Sequence, residues 1–357
     1  TRRQVASSLG EIDPGNEFAI KALVQLLQST NLHDPTRRQV ASSLGEIDPG
    51  NEFAIKALVQ LLQSTNLHDP TRRQVASSLG EIDPGNEFAI KALVQLLQTN
   101  LYDFTRRQAA SSLEKIGTGN EIAIKALVQL LQSTNLYDDA RRQAASSLEK
   151  ISTGNEIPIA ALVQLLQSTN LDDSTRRQVA SSLGEIDPGN EFAIKALVQL
   201  LQSTNLDDST RRQAVSSLGE IGPGNEIAIK ALVQLLQSTN LDNFTRRLAA
   251  YSLREIGPGN EIPIAALVQL LQSTNLDDYT RRQVASSLGK IIQNNQDRFE
   301  VVKALSSYWL LHDDYYNLAW NCAQNMPYPN FYQAWHQHNF ATRTMRSLKK
   351  ILFTRII

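Results

Sequence analysis

The sequence predicts an all-α protein built as a solenoid of repeated helix pairs. Three observations predict it. Residues 36–70 repeat residues 1–35 letter for letter, and edited copies follow from Thr71, Thr105, Ala140, Thr175, Thr210 and Thr245, with half a copy from Thr280. The period is 35 residues, once 34, which is the spacing of stacked supersecondary units. Each copy also holds two segments with apolar residues at helical spacing, split by a glycine-containing turn.

The first segment of the unit is Thr1–Ile12, with Val5, Ala6, Leu9 and Ile12 on one face. In the copy that begins at Thr36, Asp34 reads as its N-cap and Pro35 as its first helical residue. Asp13-Pro14-Gly15 forms the turn. The second segment is Asn16–Ser29, with Asn16 as N-cap and Glu17 on the positive helix end. Ile20, Leu23, Val24 and Leu27 cluster on one side, widened by Ala19, Ala22 and Leu26, while Lys21, Gln25 and Gln28 lie opposite. Helices of about three turns are marginal in water alone. Stacked copies complete each other's burial, so stability is a sum of unit and neighbour contributions.

The run Asp34-Pro35-Thr36-Arg37-Arg38-Gln39-Val40-Ala41-Ser42-Ser43-Leu44-Gly45-Glu46-Ile47 resembles the first helix of HEAT-like repeats of the phycobilin-lyase type. The resemblance covers residues 1 to about 292. It implies a right-handed α-α superhelix whose second helices line the concave side, with ion pairs along the stack at Asp34, Arg37, Asp69 and Arg72. Thr36 replaces the usual aliphatic residue before the Arg. The expected organisation is an array of about eight and a half units over 1–292 and an aromatic-rich helical cap over 293–357.

The net charge of −1 gives no global drive towards nucleic acid or membrane. The single cysteine, Cys322, cannot form an internal disulfide, which fits a reducing cytoplasm. No apolar run approaches the roughly 20 residues of a membrane span, and no signal peptide stands at Thr1. The array opens directly on a helix without a polar capping repeat, so a preceding segment is expected.

Two surfaces emerge as candidate partner sites. One is the ladder Lys21-Gln25-Gln28, Lys56-Gln60-Gln63 and Lys195-Gln199-Gln202, which would line the concave face with amides and ammoniums; glutamine both donates and accepts, suiting peptide backbone. The other is the joint between copies, where the residue after Asn-Leu runs His33, His68, Tyr102, Tyr137, Asp172, Asp207, and the residue two further on varies as widely. Core edits between copies are modest, such as Phe88 against Ile122. Nine Arg pairs recur, but acids in every copy balance them, which argues for structural pairing over nucleic-acid binding.

After Ile292 the pattern stops. Asp297 is expected to cap a helix carrying Phe299, Val302, Leu305 and Trp309; 313–326 and Phe331–His338 read as two more, their aromatics forming a lid over the last repeat. Leu318-Ala319-Trp320-Asn321-Cys322-Ala323-Gln324-Asn325-Met326 and Tyr328–His336 resemble the end of cyanobacterial NACHT-type NTPases, implying an upstream nucleotide-binding switch. No G-x-x-x-x-G-K-[ST] motif occurs in this sequence. Arg343–Arg355 is basic and amphipathic, as for a docked helix or an acidic partner. Cys322 reads as a buried hydrophobe, and His336-x-His338 lacks further ligands at metal spacing.

The sequence therefore reads as a non-catalytic protein-recognition scaffold, without metal or cofactor, binding a protein or peptide and serving as the sensor of a NACHT-type ATPase. The alternatives are a phycobilin lyase subunit and an engineered or recently duplicated repeat scaffold.

Overall fold

A computed structural model describes residues 2–336, apart from 30, 65–66, 100–101, 134–135, 153–155, 169–170, 204–205, 239–240, 272, 274–275, 307–312 and the side chains of 313–315. The basic segment Arg343–Arg355, Trp309 and His338 lie outside the described residues. Every described element is a helix. By internal contacts the chain divides into two compact units, Thr1–Asp187 and Pro188–Ile357.

The first unit holds α1 (Arg2–Gly10), α2 (Glu17–Leu27), α3 (Asp34–Ile47), α4 (Glu52–Leu62), α5 (Asp69–Leu79), α6 (Glu87–Gln98), α7 (Asp103–Ile116), α8 (Glu121–Gln132), α9 (Asp138–Ile151), α10 (Glu156–Leu166) and α11 (Asp173–Glu185). The second holds α12 (Glu191–Leu201), α13 (Asp208–Ile221), α14 (Glu226–Gln237), α15 (Asn243–Ile256), α16 (Glu261–Leu271), α17 (Asp278–Ile291), α18 (Asn295–Leu305), α19 (Asp313–Gln324) and α20 (328–336). Within each unit first helices pack on first helices and second on second: α1 on α3, α3 on α5, α2 on α4, α4 on α6. This two-layer order is the one that equal, laterally stacked helix pairs must adopt.

The core follows the apolar stripes. In α6, Ile90, Leu93, Leu96 and Leu97 are buried; each contributes about 1.5–3 kcal/mol before conformational entropy is set against it. Neighbours complete the burial. Val40 and Ile47 of α3, flanked by α1 and α5, are 0% and 1% exposed, whereas Val5 and Ile12 of the first copy are 54% and 38% exposed.

Two recurring contacts fasten copy to copy. The turn glycine takes a positive φ, 79° at Gly15 and 85° at Gly85, which a side chain would oppose. That conformation aims its N–H at the last carbonyl of the next first helix: Gly15 N donates to Ile47 O at 2.9 Å and Gly85 N to Ile116 O at 2.7 Å. An otherwise orphaned helix-end carbonyl is thereby satisfied.

The second contact is a seam of small residues between first helices. Ser43 Oγ donates to Ala6 O at 2.9 Å, and Ser252 Oγ to Val215 O at 3.0 Å. A Cβ on Gly80 would lie 2.7 Å from Ser112 Cβ and 2.9 Å from its Cα. Two copies carry Glu114 and Glu149 at this glycine position. Glu114 then takes the hydroxyl of Ser147 at 3.1 Å and Lys150 Nζ at 2.7 Å. Glu149 faces α11, where Ser182 and Glu185 meet it, and its own neighbour Lys150 is turned towards Glu114. Burial pushes the Glu149 carboxyl up from the ordinary 4.5 to about 7; the Ser182 hydroxyl and Lys150 oppose the rise, and Glu185 adds to it.

Several sequence expectations shift. His33 is the N-cap of α3 and Asp34 its first residue, one position earlier than expected. Asn294, not Asp297, caps α18; Asp297 is the third helical residue and closes a capping box. Among the described cap aromatics, Tyr316, Trp320, Tyr328 and Tyr332 are exposed rather than forming a lid, while Leu318, Cys322, Met326 and Ala334 are buried. Phe88 and Ile122 are not core residues either, being 60% and 47% exposed.

The seam makes two predictions. Gly80→Ala destabilises the protein by about 1–3 kcal/mol despite its gain in helix propensity, whereas Gly289→Ala, whose Cβ meets only Leu318 Cδ1 at 3.2 Å, is close to neutral in thermal unfolding. For Glu149, a pKa raised on folding means that its contribution is fully present below about pH 4.5 and is lost as pH rises towards 7. Urea midpoints should therefore fall across that window in the native chain, and Glu149→Gln should flatten that part of the profile.

Candidate functional site

Asparagine caps set the orientation of the second helices. Asn16 Oδ1 accepts from Ala19 N at 3.1 Å, and Asn51 Oδ1 from Phe53 N at 3.0 Å and Ala54 N at 3.2 Å. With the helix start fixed, Lys21, Gln25, Gln28, Lys56, Gln60, Gln63, Lys195, Gln199 and Gln202 are all exposed. The lysines are held by the glutamate one turn back: Lys21 Nζ lies 3.0 Å from Glu17, Lys56 2.9 Å from Glu52 and Lys195 3.0 Å from Glu191. Such exposed pairs are worth a few tenths of a kcal/mol. They neutralise the lysines and leave amides as the main polar chemistry of the face.

Equivalent amides also join across copies. Gln132 Nε2 of α8 donates to Gln164 Oε1 of α10 at 3.3 Å. Beside them opens a cleft of about 520 Å³, floored by Leu131, Leu165 and Leu171 and edged by Gln132, Gln164 and Arg141. Arg141 is fixed there by Asp138 at 3.3 Å and by Ser133 O at 3.1 Å. An apolar floor with a few placed donors and acceptors is the usual chemistry of a peptide side-chain pocket.

The joint is a structural seam as well as an edge. His33, His68, Tyr102 and Tyr137 are N-caps without a side-chain cap bond. Asp172 and Asp207 stand at the same position and do cap: Asp172 Oδ1 accepts from Ser174 N at 2.8 Å and Thr175 N at 3.0 Å, and Asp207 Oδ1 from Ser209 N at 2.9 Å and Thr210 N at 3.1 Å. Burial alone would raise the Asp207 carboxyl, but the Ser209 and Thr210 bonds outweigh it and hold it at about 2. Where it is Phe104, Asp139, Ser174, Phe244 or Tyr279, the residue two positions further interleaves with the second arginines of the pairs. Phe244 lies between Arg212 at 5.0 Å and Arg247 at 5.3 Å, and Arg247 is 4.9 Å from the Tyr279 ring. Arg142 meets Asp139 and Ser174 at the same places. The Arg pairs and the variable joint, read separately in the sequence, are one ladder.

The four residues read as structural ion pairs lie on that edge. Arg37 Nη1 is 3.3 Å from Asp34 Oδ1 within α3, and His68 Nε2 of the next copy is 3.2 Å from Asp34 Oδ2. Asp69 takes Thr105 Oγ1 at 2.5 Å and Arg73 Nε at 3.7 Å, with half-buried Arg72 on the same turn.

Sequence reasoning missed a further row. Phe18, Phe53 and Phe88, the second residues of α2, α4 and α6, are 85%, 69% and 60% exposed. The signal was present: on the helical wheel Phe18 falls beside Gln25, away from the Ile20–Leu23–Leu27 stripe. In α19, burial pushes the Cys322 thiol up to about 11, which leaves it a poor nucleophile at neutral pH. His336 packs on the Tyr332 ring at 4.2 Å. Among the described residues, no group of three or more His, Cys, Asp or Glu is placed to hold a metal ion, and no helix is long and apolar enough to cross a membrane.

Comparison with known proteins adds the following. The family described as HEAT repeats matches residues 32–114, 55–149, 124–208, 159–254 and 194–289. The family described as NACHT C-terminal Cysteine and Histidine-containing matches residues 308–336. No curated protein matches the chain. Solved structures that the chain matches include YibA of Escherichia coli (17% identity, TM-score 0.47, covering 80% of this chain and 95% of that one). Kap121p bound to Pho4p has 16% identity and a TM-score of 0.48, covering 82% of this chain and 35% of that one. The CpcE–CpcF complex of phycocyanin lyase from Nostoc sp. PCC7120 has 20% identity and a TM-score of 0.36, covering 79% and 97%.

The cap geometry predicts that Asp207→Ala lowers stability by about 0.5–2 kcal/mol, while Asp207→Asn, which keeps the acceptor, loses much less. Because folding depresses the Asp207 pKa from 3.8 to about 2, its contribution is present above about pH 3.8 and lost as pH falls towards 2. Chemical denaturation at pH 7 and near pH 2 should show the deficit of Asp207→Ala against the native chain at the first and little of it at the second, while the margin of Asp207→Asn over Asp207→Ala, which involves no titrating group, stays.

Proposed function

The chain belongs to the HEAT-repeat family, and from that premise we propose that it is a non-catalytic scaffold whose second-helix faces recognise a protein or peptide. The carrying observation is the amide face of α8 and α10, where Gln132 and Gln164 edge an apolar-floored cleft. Side-chain amides beside an apolar floor suit a polypeptide, whose backbone needs donors and acceptors and whose side chains need a dry recess. In this reading residues 1–292 are the array and 293–357 its C-terminal cap.

The match of residues 308–336 to the NACHT C-terminal family supports a finer reading. The array is the ligand-sensing part of a NACHT-type signalling protein, and binding on the repeats is relayed to a nucleotide-driven switch. No observation on the chain favours chromophore chemistry over this.

The test uses the full chain as bait for a partner. Gln132→Ala with Gln164→Ala should weaken capture about tenfold or more, and Tyr102→Ala with Tyr137→Ala should leave it within about twofold. The reverse order would move the site to the joint edge. A stoichiometric coloured adduct on incubation with phycocyanobilin would overturn the non-catalytic reading.

A further inference from the structure

The exposed phenylalanine row is not explained by the amide face. Phe18, Phe53 and Phe88 stand on helices that pack side by side, α2 on α4 and α4 on α6. One exposed apolar residue is ordinary, but the same large ring left exposed at the same place on three neighbouring helices adds up to apolar surface of the kind that marks an interaction site. The Asn51 cap, with its bond from Phe53 N at 3.0 Å, fixes where the ring leaves the helix.

The row is set among acids. Each of these three copies places an aspartate in the turn, Asp13, Asp48 or Asp83, and a glutamate next to the phenylalanine. One lysine per copy answers them, and it is bound to the glutamate, as Lys56 is to Glu52 at 2.9 Å. Each copy's aspartate is thus left over as net negative charge. The turn aspartates adjoin across copies: a Cβ on Gly50 would lie 2.9 Å from Asp83 Oδ2.

The row also has an end. In the next two copies the phenylalanine becomes Ile122 and Ile157, the turn aspartate becomes Gly117 and Ser152, and Lys115 and Lys150 appear. Through all eight copies, phenylalanine occurs only where the turn carries aspartate, the fourth case being Phe192 with Asp187. An aromatic face paired with a nearby carboxylate is what a lysine or arginine side chain binds, by cation–π and Coulomb attraction together.

We infer that the edge formed by Phe18, Phe53 and Phe88 docks an extended, lysine- and arginine-rich segment of a partner protein. The inference rests on the scaffold reading and names the chemistry of a partner. Neighbouring helices pack about 8–10 Å apart, and an extended chain in the polyproline II conformation advances about 3.1 Å per residue and returns every third side chain to the same face. Successive copies therefore meet about every third residue of the segment.

The test pans the full chain, at physiological salt, against a displayed library of random peptides about twelve residues long, enough to cross three copies. Enriched peptides should be net positive, with Lys or Arg recurring about every third position. Phe53→Ser with Phe88→Ser, and separately Asp48→Asn with Asp83→Asn, should weaken them about tenfold while leaving the thermal midpoint in place, because these side chains lie outside the core. Enriched peptides that lack positive charge, or whose binding survives the Phe changes, overturn the inference. Peptides that depend on Gln132 and Gln164 instead overturn it while keeping the scaffold reading. The absence of any enriched peptide counts against both. Dimerisation of the chain that Phe53→Ser with Phe88→Ser abolishes would show a self-interface and also overturn it.

Discussion

A serine hydroxyl reaching a backbone carbonyl of the preceding copy sets the spacing of the array. Ser43 to Ala6 O and Ser252 to Val215 O are buried bonds between first helices, and they form only if the two backbones come close. Glycine on the facing helix makes room for that approach. Once the first helices are fixed, the turn glycine of most copies, Gly50 excepted, donates to the next helix end, as Gly15 N does to Ile47 O, and the second helices are placed by the turn. Small residues therefore govern the geometry, while the leucines and isoleucines supply most of the burial energy. Where glutamate replaces the glycine, the serine finds a carboxylate instead, and lysine of the following copy must answer the charge. Glu114 has that lysine, and Glu149 has Glu185. The same substitution made twice thus gives one satisfied carboxylate and one strained one, decided by the copy that comes next.

The joint shows how many chemistries can close the same gap. A first helix needs an N-cap and the second arginine of each pair needs a companion. Asp172, Asp207, Asp242 and Asp277 supply the cap from the side chain; His33 and Tyr102 do not. Phe244 and Tyr279 sit on arginine by cation–π contact, and Asp139 does so as an ion pair. Each arginine contact is worth about a kcal/mol or less on an exposed edge. Replacement of one by another is correspondingly cheap, so variability at the joint does not by itself mark a binding edge.

Much of the fold was legible because a repeat states its own answer several times over. Period, helix pairing, the asparagine caps and the stripes of the second helices all follow from spacing. What the sequence obscured was depth. The Phe88–Ile122 exchange is the kind that cores make, yet the first turn of a second helix projects beyond its neighbours and leaves both outside. The aromatics of α19 and α20 read as a lid by composition, but Leu318, Cys322 and Met326 hold the inward positions. The arginine ladder was hidden because its rungs come from residues a whole copy apart, Arg212 with Phe244, and no local window contains both.

Variation within the array also bears on which face meets a partner. The first two copies are identical throughout, so their constancy carries little weight. The later copies have diverged at the joint, in the turn and at the phenylalanine position, which becomes Ile122, Ile157, Ile227 and Ile262. Across the same interval the two glutamines of the Ala-Leu-Val-Gln-Leu-Leu-Gln run are unchanged in all eight copies. Leucine in that run is constrained by burial; exposed glutamine is not. Lysine one turn earlier, equally exposed, has already become Ala160 and Ala265. A helix surface under no constraint beyond solubility would let amides drift to Lys, Glu or Arg, which match or exceed glutamine in helix propensity. Retention of both amides, which in α8 and α10 also bond each other across copies, is the expectation for a face whose contacts need both a donor and an acceptor, and it separates the glutamine columns from the lysines that share their helices.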